Sequence, residues 1–162
     1  MLVKMTALVI DDSSVMRKMV MKSLAQAKLA EFEFVEAEDG EMALEQMKAH
    51  EIDIAFVDWN MPKMTGIEFV VEVRKQEKTA GDDNGIPLVM VTSEKTMGKI
   101  QTALDEAGAD SFITKPFTVE ELQVKLKKSV EKAYLVRRRK LRDKAEQAEV
   151  AEAAPVKRGW FG

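Results

Sequence analysis

Two hydrophobic patterns alternate along the chain. Short, almost continuous apolar runs end abruptly at polar residues, which is typical of strands buried on both faces of a sheet. Between the runs, apolar residues recur every three or four positions, as they do on one face of a helix. The runs predict five strands, at residues 7–10, 32–35, 54–57, 87–91 and 111–113.

Polar residues and glycines at the edges of these segments predict where the helices begin and end. Because five strands alternate with five helices, we expect an α/β fold with a doubly wound parallel sheet, helices on both faces and right-handed crossovers. Helix starts are expected at Ser13 or Ser14, after Asp39, at Gly66, near Lys95 and near Thr118, and Gly108 is expected to end the fourth helix.

The fifth helix is predicted to be unusually long. Its helical composition continues to about Ala153, although its inward apolar stripe fades after Val136. We therefore expect a compact domain over residues 1–134 and a helical, flexible C-terminal extension over residues 135–162. The predicted stripe consists of Val119, Leu122, Leu126, Val130 and Tyr134.

Charge is distributed unevenly along the chain. Residues 1–124 carry 13 basic and 23 acidic side chains, whereas residues 125–140 carry eight basic and one acidic. An acidic body does not suit binding to phosphate backbones, so nucleic acid is not an expected partner. The basic run at residues 137–140 could meet nucleic acid or an anionic membrane, but the acids that follow it favour a solvated helix.

The chain closes with two adjacent aromatic residues, Trp160 and Phe161. Aromatic rings bury a large area on few rotatable bonds, so we interpret this tail as a partner-docking peptide. A disordered terminus or an intramolecular cover is the alternative.

The chain has no cysteine, no apolar run near the ~20 residues that span a bilayer, and a start that runs straight into a strand. We expect a cytoplasmic protein without a signal peptide or membrane span.

Residues whose side chains can react or bind ligands follow four of the predicted strands. Asp11 and Asp12 follow the first, Asp58 the third, Thr92 the fourth and Lys115 the fifth. In an open parallel sheet, ligands bind beyond the carboxyl ends of the strands. These side chains therefore converge if the first and third strands are neighbours.

This set of residues suggests phosphoryl chemistry with Mg²⁺. Three close carboxylates repel one another and invite a cation, and oxygen ligands favour a hard one. We expect Asp11, Asp12, Asp58 and the main-chain carbonyl of Asn60 to hold it. Asp58 would attack a phosphoryl group and hold it as an acyl phosphate. Lys115 would pair with one phosphoryl oxygen, and the Thr92 hydroxyl would donate to another.

Each residue alone also has a purely structural interpretation. Asp11 or Asp12 can be a helix cap, Thr92 a turn residue, and the Lys115-Pro116 pair part of a loop. Asp58 fits a structural interpretation least, because a carboxylate beside a buried apolar run needs a partner. The conjunction at four strand ends carries the functional hypothesis.

The motifs resemble the receiver domain of two-component response regulators over roughly residues 5–130, and among receivers they look most like the stand-alone chemotaxis regulators. The resemblance implies a flavodoxin-like (βα)5 fold with strand order 2-1-3-4-5. The matching motifs are Asp11-Asp12, the run from Asp58-Trp59-Asn60-Met61-Pro62 to Gly66, Val91-Thr92-Ser93-Glu94, and Lys115-Pro116-Phe117.

The resemblance also implies a function. Asp58 would accept a phosphoryl group from the phosphohistidine of a sensor histidine kinase, and the protein would then change its affinity for a protein partner, such as a flagellar motor switch. A phosphatase would reset it. A stand-alone receiver that acts as a phosphate sink or a phosphorelay intermediate is the alternative. No separate output domain and no enzymatic turnover beyond self-phosphorylation and dephosphorylation are expected.

The same resemblance assigns a switch and a timer. Thr92 would move toward the phosphoryl group, and Phe112, the aromatic residue three positions before the lysine, would turn inward. A plain core role for Phe112 is equally compatible with the sequence, and without a hydroxyl it cannot replace a tyrosine's hydrogen bond. Asn60 and Glu94, two residues beyond Asp58 and Thr92, would set the lifetime of the acyl phosphate.

Two other classes fit less well. A haloacid-dehalogenase-type phosphotransfer enzyme needs a second acid two residues after its aspartyl nucleophile, and Asn60 cannot protonate a leaving group. Its nucleophile also normally follows the first strand. A flavin-binding protein would find its phosphate facing the carboxylates of Asp11, Asp12 and Asp58, which would repel it. The sequence contains neither of the glycine-rich nucleotide-binding motifs G-x-x-x-x-G-K and G-x-G-x-x-G.

Overall fold

The sheet and its helices follow the predicted alternation. The computed structural model describes residues 1–82, 85–93 and 95–153. Every predicted strand and helix is found in the predicted order. The elements are β1 (Lys4–Ile10), α1 (Ser14–Ala27), β2 (Glu31–Ala37), α2 (Gly40–Ala49), β3 (Ile54–Asp58), α3 (Gly66–Thr79), β4 (Leu88–Thr92), α4 (Met97–Ala107), β5 (Ser111–Thr114) and α5 (Val119–Ala153).

The five strands form one parallel sheet in the order β2-β1-β3-β4-β5. The predicted order 2-1-3-4-5 and the extended C-terminal helix are confirmed. β3 lies at the centre, and four of its five residues are buried because helices cover both faces of the sheet. In register, Ile10 lies opposite Val57, and Asp58 lies opposite Val91. The carboxyl ends of β1, β3 and β4 therefore reach the same edge of the sheet.

A separate hydrophobic core lies on each face of the sheet. One contains α1 and most of the inward side of α5, including Leu24 and Leu126. The other contains α2, α3 and α4, including Ala43 and Phe69. Strand residues alternate between the two cores, as the period-2 geometry of a strand requires. These two cores fix the strand ends that carry the candidate site.

Side-chain caps begin several helices, and the cap predicted at Ser13 or Ser14 is found at Ser13. The Met16 amide donates to Ser13 Oγ at the start of α1, and the Met42 amide donates to Asp39 Oδ1 at the start of α2. α3 begins with a reciprocal capping box between Thr65 and Glu68. The N-termini of α1, α2 and α3 are thus fixed at the carboxyl edge of the sheet.

One predicted boundary is shifted slightly and one predicted detail is wrong. α4, predicted to begin near Lys95, begins at Met97, with Thr96 as its N-cap in an extended conformation. Tyr134 is exposed instead of continuing the inward stripe of α5, and Ala133 and Val136 are buried in its place. Residues three and four positions after Val130 both lie on the same side of the helix. The buried face continues at the first of them, Ala133, rather than at Tyr134. None of the helices in the described ranges is long and apolar enough to cross a membrane.

Candidate functional site

Three aspartates meet at the carboxyl edge of the sheet. Asp11 and Asp58 leave adjacent strands side by side because Ile10 and Val57 are in register. Asp12 follows in the next position, and one carboxylate oxygen from each of the three lies within 4.8 Å of the others. Asp11 is 4% exposed, whereas Asp12 is on the surface. The cluster opens to solvent on the Asp12 side.

Lys115 reaches this cluster from the loop that follows the edge strand β5. Its Nζ lies 3.3 Å from Asp11 Oδ2 and 3.2 Å from Asp58 Oδ1. The loop after β5 places it there, since the Lys115 amide donates to the Thr92 carbonyl at 2.7 Å. The structure thus brings together four of the five strand-end residues: Asp11, Asp58 and Lys115 are in direct contact, and Asp12 is the third carboxylate of the cluster.

The electrostatics of the cluster are unbalanced. Burial raises the pKa of Asp58, repulsion by Asp11 raises it further, and Lys115 opposes both. Asp12 adds a smaller upward contribution to the same pKa. Among the described residues, the three carboxylates are contacted by the ammonium group of Lys115, so the donor set is rich in oxygen and negative charge. Such a set fits a hard divalent cation such as Mg²⁺, which uses one or two carboxylates together with other oxygen ligands. Asn60 lies in the exposed turn two residues after Asp58, and the role of its carbonyl stays a prediction.

Asp11 is held by contacts that sequence reasoning missed. Its Oδ1 accepts the Ser13 amide at 2.9 Å. Arg17 donates from Nη1 to the Asp11 main-chain carbonyl at 2.7 Å and from Nε to Glu36 Oε1 at 2.9 Å. A basic residue in the first turn of a helix opposes the helix dipole. That local conflict at Arg17 was the available sign of a tertiary role.

The turn after Asp58 closes tightly on its own backbone. The Gly66 amide donates to the Trp59 carbonyl at 2.9 Å. A Cβ atom at Gly66 would lie 2.2 Å from the Asp58 carbonyl oxygen, a distance that no side chain can adopt without moving the backbone. The glycine therefore sets how closely α3 approaches the end of β3, and with it the position of Asp58.

The two predicted switch residues lie on the adjacent strands β4 and β5. Thr92 is fully buried at the end of β4, one position beyond the residue opposite Asp58. Phe112 is half-buried on β5 opposite Met90, and Lys125 Nζ lies 4.7 Å from its ring centroid. Three predicted residues lie outside the described part of the chain, namely Glu94, Trp160 and Phe161.

A scan against protein-family models matches residues 7–127 to the response regulator receiver domain. The match covers most of the chain and includes every residue of the aspartate cluster together with Lys115. The chain belongs to the receiver domain family of response regulators. The resemblance inferred from the sequence motifs is thereby confirmed.

Curated relatives support the same family. A chemotaxis protein CheY homolog of Campylobacter jejuni (strain 81-176) is 38% identical over 123 residues, which cover 75% of this chain and 89% of that protein. Chemotaxis protein CheY1 of Helicobacter pylori (strain 26695) is 37% identical over 75% of this chain and 94% of its own length. The family match ends at residue 127, so the C-terminal part of α5 lies outside it.

Solved structures agree with the fold. Chemotaxis protein CheY4 of Vibrio cholerae aligns with a TM-score of 0.65 and 34% identity, over 78% of this receiver and 98% of that chain. The receiver domain of a sensor histidine kinase from Pseudomonas aeruginosa aligns with a TM-score of 0.64 and 22% identity, over 79% and 98% of the two chains. That receiver domain has a magnesium ion coordinated in its active site cleft.

Proposed function

We propose that Asp58 accepts a phosphoryl group and that the protein is a phosphorylation-switched response regulator. The single observation that carries this proposal is the contact of Lys115 with both Asp58 and Asp11 inside a cluster of three carboxylates. Asp58 is central to that cluster and has a carboxylate whose pKa responds to both the acids and the amine. Membership of the receiver family supports the same choice.

The chemistry follows from the placement of these groups. A carboxylate oxygen of Asp58 attacks phosphorus, an O–P bond forms, and the bond between phosphorus and the donor's leaving atom breaks. Lys115 then exchanges its contact with the carboxylate of Asp58 for one with a phosphoryl oxygen. Asp11 stays in place because Ser13 and Arg17 hold it from two sides.

Asp11, Asp12 and Asp58 would hold a divalent cation, for which we propose Mg²⁺. Bound there, Mg²⁺ supplies positive charge that offsets the phosphoryl oxygens as they approach three carboxylates. The carbonyl of Asn60 would complete the protein ligands. The observed spacing of the three carboxylates supports this assignment.

A change of state would travel from the site through β4 and β5. We propose that the Thr92 hydroxyl moves to a phosphoryl oxygen, and that Phe112 repacks when Thr92 moves. The adjacent strands and the half-buried ring support this route. Asn60 and Glu94, which come two residues after Asp58 and Thr92 in the sequence, would tune how fast water reaches the acyl phosphate.

The pathway is proposed from the relatives. Since several relatives are named chemotaxis proteins and this chain spans most of their length, we propose a chemotaxis-type role. The phosphodonor would be a sensor histidine kinase, and the output partner a protein such as a flagellar motor switch. A phosphatase would end the signal. We also propose a cytoplasmic location, which such partners would require.

The domain organisation is proposed as well. Residues 1–134 would act as the receiver and residues 135–162 as an extension, because the family match ends at residue 127 and α5 continues to Ala153. A docking role for Trp160 and Phe161 stays a prediction.

The test is chemical labelling of the full chain. With a small phosphodonor and Mg²⁺, intact mass should rise by one phosphoryl group, and hydroxylamine should remove it, as expected for an acyl phosphate. Asp58→Asn should abolish labelling. Asp39→Asn is the matched control, because Asp39 also lies at the carboxyl edge but caps α2, a role that asparagine fulfils equally well. Label that persists in Asp58→Asn, or that resists hydroxylamine, would refute the assignment.

A further inference from the structure

The last part of α5 does not leave the domain. Ala133 is buried in the core that contains α1, whereas Val136 is buried in the opposite core with Ile52 and Ile86. The helix therefore passes from one face of the sheet to the other beneath its amino edge, the edge opposite the aspartate cluster. The segment that makes this passage lies beyond the family match.

Arg137 attaches the helix to the amino edge. Its Nη1 contacts the Lys4 carbonyl and lies 3.2 Å from Asp53 Oδ2. The same carboxylate oxygen accepts the Thr6 amide at 2.8 Å, and the Asp53 amide donates to the Thr6 carbonyl at 2.9 Å. One guanidinium thus joins α5 to the start of β1 and to the turn that enters β3.

Further along α5, the basic residues face acids of the body. Arg139 and Lys140 lie 3.7 and 3.4 Å from the carboxylate oxygens of Asp82. Lys144 pairs with Glu51, two residues after α2. The Lys144–Glu51 pair is exposed and the Asp82 pairs are partly exposed, so each contributes little by itself and each is screened by salt.

Buried apolar side chains do not hold this part of α5 against the body. Every residue from 141 to 153 is exposed, and Val136 is the last buried residue in the described part of α5. A cavity of about 620 Å³ lies between this part of the helix and the body, lined by apolar side chains such as Ile52 and Leu141 as well as by Glu51, Arg137 and Lys144. Beyond Val136, the ion pairs with Asp82 and Glu51 hold the helix across this cavity.

We propose that residues 137–147 form an electrostatic strap, which closes on the acidic amino edge of the same chain and opens when its charges are screened. The acidic edge consists of Glu51, Asp53 and Asp82. Its occupant is the chain's own strap rather than that of a second copy, because α5 continues without a break and delivers Arg137 at high effective concentration. Opening leaves the aspartate cluster untouched, so the strap is independent of the phosphoryl chemistry proposed for Asp58.

Amide hydrogen exchange of the full chain tests the strap. Raising NaCl from ~0.05 M to ~0.5 M should accelerate exchange over residues 138–150 by about 5-fold, while the buried stretch around Leu126 should be unaffected. Combining Lys140→Gln with Lys144→Gln should have the same effect at low salt. Combining Arg138→Gln with Arg142→Gln removes the same charge and should not, because these two arginines face Tyr134 and Asp143 of their own helix instead of the acidic edge.

A charge swap makes the test specific. Glu51→Lys should open the strap, and adding Lys144→Glu should restore its protection, because the pair is then re-formed with reversed signs. Exchange that is indifferent to salt and to Lys140→Gln with Lys144→Gln would overturn the proposal. So would equal opening in the Arg138→Gln, Arg142→Gln control. Protection that rises with protein concentration would instead assign the edge to a second copy, and would also overturn it.

Discussion

The two edges of the sheet use charge in opposite ways. At the carboxyl edge, three carboxylates share one ammonium group, and burial raises the pKa of Asp58. At the amino edge, Asp53 and Asp82 each face at least one basic residue of α5. An unbalanced buried cluster costs free energy unless a ligand completes it, whereas a balanced one is complete as it stands. Charge imbalance, rather than charge density, distinguishes the candidate site from a structural contact.

The edges also share one device. Each has an arginine that donates to a main-chain carbonyl at an end of β1 and pairs with a carboxylate. Arg17 binds the Asp11 carbonyl and Glu36 at one end. Arg137 binds the Lys4 carbonyl and Asp53 at the other. The same kind of contact supports the candidate site at one end and attaches a helix at the other.

The largest expected effect comes from removing the imbalance. Asp11→Asn combined with Asp12→Asn should lower the rate of Mg²⁺-dependent labelling at least ~100-fold, since both changes remove charged oxygen ligands. Glu51→Gln combined with Asp82→Asn removes as much charge from the amino edge and should leave the rate within ~2-fold. Equal losses in both double variants would mean that net charge, rather than the cluster, controls labelling. The measurement is the initial rate of mass labelling at fixed phosphodonor.

The next effect concerns backbone rather than charge. Gly66→Ala places a Cβ 2.2 Å from the Asp58 carbonyl, so the end of β3 must shift at a cost of about 1–3 kcal/mol. Gly85→Ala at the other edge also brings a close contact, but its nearest atoms are the carboxylate of Glu77, which can move only by giving up its contacts with Arg74 and the Ile86 amide, so a smaller loss is expected. Gly98→Ala has open space and should be neutral or slightly stabilising. Urea denaturation gives the three free energies of unfolding, and similar losses for Gly66→Ala and Gly98→Ala would contradict the close-contact explanation.

The sequence predicts much of this geometry because both of its signals are local. Apolar runs predict the strands, and the polar residue that ends each run predicts which side chains meet at the carboxyl edge. Asp11, Asp58 and Lys115 were found in this way. Arg17 and Arg137 were not, because their partners are set by the packing of helices against strand ends, which no local pattern encodes. The prediction for Tyr134 is wrong for the same reason. A spacing of three or four residues after Val130 fits a helix equally well, and packing against the core buries Ala133 instead of Tyr134.

A double dissociation tests the shared arginine device. Arg17→Met should slow labelling about 10-fold, because Asp11 loses a contact that orients it, with a smaller effect on stability. Arg137→Met should instead lower the free energy of unfolding by about 1–3 kcal/mol, because the partly buried Asp53 loses its charged partner, and should leave labelling unchanged. Arg138→Met, next in the chain and stacked on Tyr134, is the control for helix propensity and should alter neither measurement.

The outcome that counts against the device is a common response. If Arg17→Met and Arg137→Met both slow labelling in proportion to lost stability, each arginine merely supports the fold. Labelling rates measured well below the unfolding transition separate these cases, because the folded fraction is then the same in every variant.

The smallest expected effect is a pKa change at the amino edge. The ammonium group of Lys144, with Arg137 and Lys140 further away, lowers the pKa of Glu51 below its ordinary value. A carboxylate whose pKa is lowered by folding stabilises the closed strap above its unfolded pKa, and this contribution is lost as pH falls through the folded value. Lys144→Gln should therefore raise the pKa of Glu51 toward that of an unpaired glutamate, whereas Arg142→Gln should not. An NMR titration of the Glu51 carboxyl group measures both. If the pKa of Glu51 is the same in Lys144→Gln and in the parent, the strap is open in solution, and the balance of charge at the amino edge must be sought in other pairs.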